Sequence, residues 1–165
     1  MTPQTPTLLD VKTIPIKGPW ATKSNGELNV LFSLEKSLLD TFLSYQDNEL
    51  EVTKSDIRGL RMYKVSNLAA ASIGAKEWHK IRHEIVTVPQ GKVLWRLRDT
   101  LGNTAEYVLD PQSHSLLIPP YIMHTYEALE DNSEITVVAS TLFIPEDPTT
   151  HDTYPESDYP TITKG

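Results

Sequence analysis

The chain contains no cysteine, so neither a disulfide framework nor a thiolate site is open to it. That absence fits a reducing compartment, and the expected location is the cytoplasm. No apolar run approaches the roughly 20 residues needed to span a bilayer. Met1 to Leu9 carries neither the basic start nor the long apolar stretch of a secretory signal, so no membrane partner is expected. Positive charge is also short. The formal net charge is −7 and no basic stripe runs along the sequence, which argues against nucleic acid as a partner. Glycine is scarce, 7 residues against 12 prolines, a balance that favours many chain reversals over long helices.

What remains is 165 residues, 39% of them hydrophobic, enough for one ordinary domain with a real core. There is no internal repeat and no low-complexity tract. The prolines gather at the two ends: Pro3, Pro6, Pro15 and Pro19 in one, Pro145, Pro148, Pro155 and Pro160 in the other. Proline fixes its own φ and restricts its predecessor, which suits extended segments. The reading is an extended arm over residues 1–20, one domain over 21–148, and a tail that wraps or frays over 149–165.

Between the ends the pattern is of short strands. Leu28 to Ser33, Leu60 to Ser66, Ala69 to Ile73, Glu84 to Val88, Lys92 to Asp99, Ala105 to Leu109, Ser115 to Ile118, His124 to Leu129 and Ile135 to Phe143 are the candidates. Lys92 to Asp99 alternates cleanly, with Val93, Trp95 and Leu97 on one face. Ser33 to Phe42 is the helix candidate, with Leu34, Leu38 and Leu39 at helical spacing and Ser33 as N-cap. Turn signals every eight to twelve residues point to an all-β sandwich or barrel.

The chemistry gathers in two stretches. Glu77 and His79 lie two apart, Glu84 opens the next strand, and Gly91 turns the chain again. Further on, Pro119-Pro120 turns the chain into His124. His83 is read as a turn residue facing water; His114 and His151 are given no role, and Trp95 is read as core. A neutral histidine, with a pKa near 6.5, suits general acid–base work. A cation or second histidine can stabilise developing negative charge, and a tyrosine can serve as acid. His79, His124 and Tyr63 are the candidates, with Glu77 as a possible carboxylate base. Arg61, Arg82, Arg96 and Arg98 lie near these strands, and arginine forks suit phosphate. Arg96 and Arg98 share a face and are favoured.

These residues resemble the two motifs of the cupin superfamily. His79, Glu84 and Gly91 match the first motif, and Pro119 and His124 the second. Glu77 stands where the first histidine of the family's His-x-His pair falls, Tyr121 where the second motif has glycine, and Ser72 at the first glycine. Residues 56 to 148 are similar, more narrowly, to the nucleotide-sugar 3,4-ketoisomerases and dTDP-4-dehydrorhamnose 3,5-epimerases. Trp78-His79-Lys80, the Arg61-Met62-Tyr63 strand, Leu117 to His124 and Pro145 to Pro148 carry that likeness. It implies a cupin double-stranded β-helix, a jelly-roll barrel with extended N- and C-terminal arms. It also implies an isomerase or epimerase acting on a nucleotide-linked keto-deoxysugar, needing no cofactor, and a homodimer. His79, His124, Glu77 and Tyr63 would be catalytic; Lys80, Arg61, Arg96 and Arg98 would bind substrate. Two alternatives stay open. One is a metal-dependent cupin, oxygenase or isomerase, holding a divalent transition metal on Glu77, His79, Glu84 and His124. The other is a cupin that binds a small molecule without chemistry.

Overall fold

Period-two burial decides the architecture. In β7 (Val93–Arg98), Val93, Trp95 and Leu97 are buried while the residues between them stay partly open. One buried face per strand demands a second sheet to cover it. In the computed structural model, which describes residues 4–161, that second sheet is present. The strands are β1 (Lys12–Pro15), β2 (Lys17–Ala21), β3 (Glu27–Val30), β4 (Arg58–Leu68), β5 (Ile73–Trp78) and β6 (Glu84–Gln90). After β7 come β8 (Thr104–Leu109), β9 (His114–Ile118), β10 (Met123–Ala128), β11 (Ser133–Thr141) and β12 (Tyr154–Pro155). The first sheet runs β1-β9-β6-β11-β4 and the second β12-β5-β10-β7-β8, both antiparallel throughout, with β2 and β3 forming a separate hairpin. This is the jelly-roll expected from the sequence. No helix among the described residues is long and apolar enough to cross a membrane.

The main core lies between the sheets, built from Val86, Val88, Trp95, Leu97, Leu116, Ile118, Ile135 and Val137 among others. A second cluster of Ile14, Phe42, Ile85 and Leu117 covers the outer face of the first sheet. It explains why Glu84 to Val88 of β6 is buried on both sides. Phe42 arrives on α1 (Lys36–Phe42). That helix starts later than its leucine spacing suggests: Glu35 is the N-cap, with no side-chain cap bond, and Ser33 lies outside. A second short helix, α2 (Asp47–Thr53), has no apolar period in the sequence that would announce it. Ala69 to Ser72 is not a strand but the turn from β4 to β5, with Ala71 in the left-handed region at φ 65 and Ile73 opening β5. The two arms contribute strands: β1 extends the first sheet and β12 pairs with β5. Residues 1–3 and 162–165 lie outside the described residues.

His83 also departs from its reading. It is 6% exposed, not open to water. The α1 helix sets Phe42 edge-on to its ring, 6.3 Å between centroids. Burial holds the imidazole at a pKa of about 4, against the usual 6.5. The native ring therefore stays neutral while the unfolded chain takes up its proton first as pH falls. Stability should decline from pH 6.5 towards 4, by about 3 kcal/mol through this group alone. Urea unfolding across that window should show a flatter dependence for His83→Phe; identical slopes for variant and wild type would contradict the burial.

Candidate active site

The site depends on two irregular pieces of backbone. His124 on β10 pairs with Glu77 of β5 on one side and Leu97 of β7 on the other, and the β5 register shifts just after it. Within β5, Ala75 and Lys76 take φ values of 61 and 62. For residues with a Cβ this conformation costs about 1–2 kcal/mol each. The resulting bulge re-aims the strand, as bulges beside functional sites do. The second piece is Tyr121, at φ 62. It replaces the second motif's glycine yet keeps the left-handed backbone that a glycine would adopt freely. Its N–H donates to the His79 carbonyl at 2.7 Å, and its hydroxyl donates to Glu49 of α2 at 2.7 Å. These contacts offset the strain.

Together these segments bring the two histidines to one hollow. Their ring centroids are 5.1 Å apart. His79 Nε2 lies 3.3 Å from Glu84 Oε1 and 4.0 Å from Glu77 Oε1. His124 Nε2 lies 3.6 Å from Glu84 Oε2 and 4.0 Å from Glu77 Oε1. Both rings and Glu84 are buried, while Glu77 is half-buried. Each ring's other nitrogen faces a main-chain carbonyl: His79 Nδ1 at 2.6 Å from the Asp152 oxygen, His124 Nδ1 at 3.0 Å from that of Ile122. A carbonyl only accepts, so these contacts assign the proton to Nδ1 in both rings. In the neutral form, both Nε2 atoms are then unprotonated and face Glu84 and Glu77, with His124 also lining the lumen.

Glu84 is the hub. Its Oε1 accepts from the Arg82 guanidinium at 3.2 Å and from the Tyr63 hydroxyl at 3.1 Å. Burial alone would raise its pKa, but the neighbouring imidazoles, in their protonated form, and Arg82 hold it well below the usual carboxylate range. Burial would likewise lower Arg82, and Glu84 outweighs it. His124 is held below the usual imidazole range by burial, with Glu84 pulling the other way. Tyr63 is raised by burial and then by the Glu84 charge, so its phenol stays neutral and serves as a hydrogen-bond donor. The lumen beside these groups is a cavity of about 200 Å³, lined by Glu77, Glu84, Trp95, His124, Tyr126 and Tyr63. Tyr63 also borders a second hollow of about 300 Å³, with Arg61, Arg82, Phe143 and Thr153.

The remaining candidates divide. Arg61 joins the second hollow, its guanidinium 5.1 Å from the ring centroids of both Tyr63 and Phe143. Arg96 and Arg98 do not reach the lumen. Trp95 and Leu97 take the inward face of β7, so the two arginines point outward and pair with Glu106, Glu127 and Glu156. The two arginines do share a face, and it is the outer one. Lys80 leans on the tail, its ammonium 4.8 Å from the Tyr154 ring centroid. Trp95, read only as core, also lines the lumen. Asp152 was missed: it lies in a proline- and threonine-rich tail whose composition carries no sign of a buried carboxylate.

Glu77, His79 and His124 each offer a ligand atom within 4.8 Å of the others, a set that can hold a divalent cation. Glu84, the fourth member of the expected set, already carries the Arg82 guanidinium on Oε1. A dication there would sit beside a fixed positive charge, so the donor set fits proton handling better than a four-ligand metal centre.

Two facing sheets with paired imidazoles and carboxylates between them define a cupin-type barrel with an ionisable interior. The chain belongs to the family described as FdtA: WxcM-like, C-terminal, whose model matches residues 42–157. Among curated proteins none matches. Solved structures share the fold. A QdtA 3,4-ketoisomerase double mutant from Thermoanaerobacterium thermosaccharolyticum, in complex with TDP, is 21% identical, with 92% of this chain and 91% of that one covered and a TM-score of 0.62. Another QdtA mutant from the same organism, in complex with TDP-4-keto-6-deoxyglucose, is 21% identical over 85% and 86% at a TM-score of 0.59. A 3,4-ketoisomerase from Helicobacter canadensis is 15% identical over 90% and 92% at 0.62.

The Arg82–Glu84 pair sets a stability prediction. Removing one partner of a buried ion pair leaves an uncompensated charge and costs about 3–5 kcal/mol. Glu84→Ala should lose that much in chemical denaturation; a loss below about 1 kcal/mol would mean that Arg82 finds its counter-charge elsewhere.

Proposed function

We propose that this chain is a 3,4-ketoisomerase of a TDP-linked 4-keto-6-deoxysugar. The observation that carries the reading is the pair of adjacent imidazoles, each held from behind at Nδ1 by a carbonyl and flanked at Nε2 by carboxylates. The reaction moves a carbonyl by one carbon. A proton leaves C3, one is added at C4, and the hydroxyl proton passes from O3 to O4, with no change in composition. His79 Nε2 takes the C3 proton, and Glu84 and Glu77 stabilise the imidazolium that forms. Arg82 lies next to this charge and balances Glu84. His124 and Glu77 serve the return of the proton. Arg61, beside the Phe143 ring at the neighbouring hollow, suits a diphosphate with an adjoining base.

A second reading has one observation in its favour, the Glu77–His79–His124 cluster, which is a metal-holding geometry. The two are separated by incubating the protein with dTDP-4-keto-6-deoxyglucose in D₂O and analysing it for metals. Deuterium entering the sugar without a stoichiometric metal supports the isomerase. A stoichiometric transition metal on which turnover depends overturns it in favour of the metal-dependent cupin, and ligand-induced thermal stabilisation without exchange reduces the chain to a binding module. His79→Asn should lower turnover by roughly 10²–10⁴-fold, the range of a lost general base. Arg61→Ala should instead raise KM and leave kcat nearly unchanged.

A second copy of the chain belongs to this proposal. β4 lies at the edge of its sheet and turns Leu60 and Met62 outward, 61% and 70% exposed. A homodimer would cover them. Sedimentation should give the mass of two chains; the mass of one would count against it.

A further inference from the structure

We infer that Asp152 is a positioning residue for His79, fixing from the C-terminal tail which nitrogen of that ring is the base; this rests on the proton-transfer reading above. Asp152 is 0% exposed and touches the catalytic turn twice. Its main-chain oxygen accepts from His79 Nδ1 at 2.6 Å. Its carboxylate accepts three successive backbone N–H groups: Lys80 on Oδ1, Ile81 and Arg82 on Oδ2, each at 2.9 Å. Those amides form the turn that follows His79 and leads to Arg82, the partner of Glu84.

The two contacts work as a unit. A buried carboxylate that accepts three N–H donors is held rigidly, because each broken bond leaves a buried donor unsatisfied. Holding the carboxylate holds the carbonyl of the same residue. Neighbouring tail contacts fix it from both sides: Thr150 Oγ1 accepts from the Ile144 N–H at 3.0 Å, and Tyr154 of β12 pairs with Trp78 of β5. Without the carbonyl acceptor, a neutral His79 would place its proton on Nε2, facing Glu84, and present no lone pair to substrate. With it, the proton stays on Nδ1 and Nε2 remains a base. The carboxylate of Asp152 does not touch the ring. It acts through the position of its own backbone, so it is not a catalytic residue.

The tautomer can be read directly on resting protein by ¹H–¹⁵N correlation of ¹⁵N-histidine-labelled chain, without any substrate. At a pH where the ring is neutral, wild-type His79 should be the Nδ1–H form. Asp152→Asn keeps one acceptor oxygen but sets an amide NH₂ against the turn's N–H donors, so the turn shifts. That variant should show a mixed or inverted His79 tautomer, and kcat should fall on the order of 10- to 100-fold, with KM within about twofold. A wild-type ring in the Nε2–H form overturns the inference, as does Asp152→Asn retaining both tautomer and kcat. Should that variant fail to fold, the wild-type spectrum still decides. Should wild type fail to turn over the keto-sugar, the ketoisomerase reading falls while the tautomer and its response to Asp152→Asn are still measured.

Discussion

The whole site is organised by a carboxylate that a β-barrel has no intrinsic reason to tolerate. Glu84 sits between two sheets, 2% exposed, where an isolated charge is prohibitively costly. It persists because every direction around it is answered: the Arg82 guanidinium and Tyr63 hydroxyl on one oxygen, imidazoles beside both. The dependence runs in both directions. Arg82, 3% exposed, needs Glu84 as much as Glu84 needs Arg82. The histidines gain from the arrangement a local negative charge, which favours an imidazolium over the neutral ring.

Polar and apolar burial share the same strands without mixing. β6 puts Glu84 at one end of its inward face and Val86 and Val88 further along. The lumen is therefore polar near the turn that follows β5 and apolar beyond Trp95. That division lines the cavity with Ile135 and Val137 on one side and leaves Glu77 partly open on the other. The outer surfaces are covered by different means: α1 with Phe42 over the first sheet, and the tail's Tyr159, with Tyr154, over Trp78 and Met123 of the second.

Much of this could be read in the sequence, for definite reasons. Strand alternation at Val93, Trp95 and Leu97 follows from one-sided burial and needs no tertiary knowledge. His79, Glu84, Gly91 and His124 keep motif spacing because the barrel fixes their register; at Gly91, φ is 78 and an added Cβ would stand 2.3 Å from Ser133 Oγ. Other features were invisible because they depend on what arrives from elsewhere in the chain. His83 reads as a turn residue until α1 covers it. Arg96 and Arg98 share a face, but the sequence alone does not say which side of β7 is the lumen. The left-handed backbone at Ala75, Lys76 and Tyr121 is hidden because glycine, the usual marker, is absent from all three. Tyr121 shows that a motif can lose its signature residue and keep its geometry, provided the new side chain finds enough partners.

The bond from Asp152 to His79 spans 73 positions of sequence. Contacts that distant form late, after the segments between them have been laid down. During synthesis both imidazoles, Glu84 and Arg82 leave the ribosome well before Asp152 does. A nascent barrel can close its sheets over a histidine whose proton has no fixed address, and that address is assigned only when the tail threads into place. The His79 ring is thus set last, by a stretch of chain that belongs to neither sheet's centre.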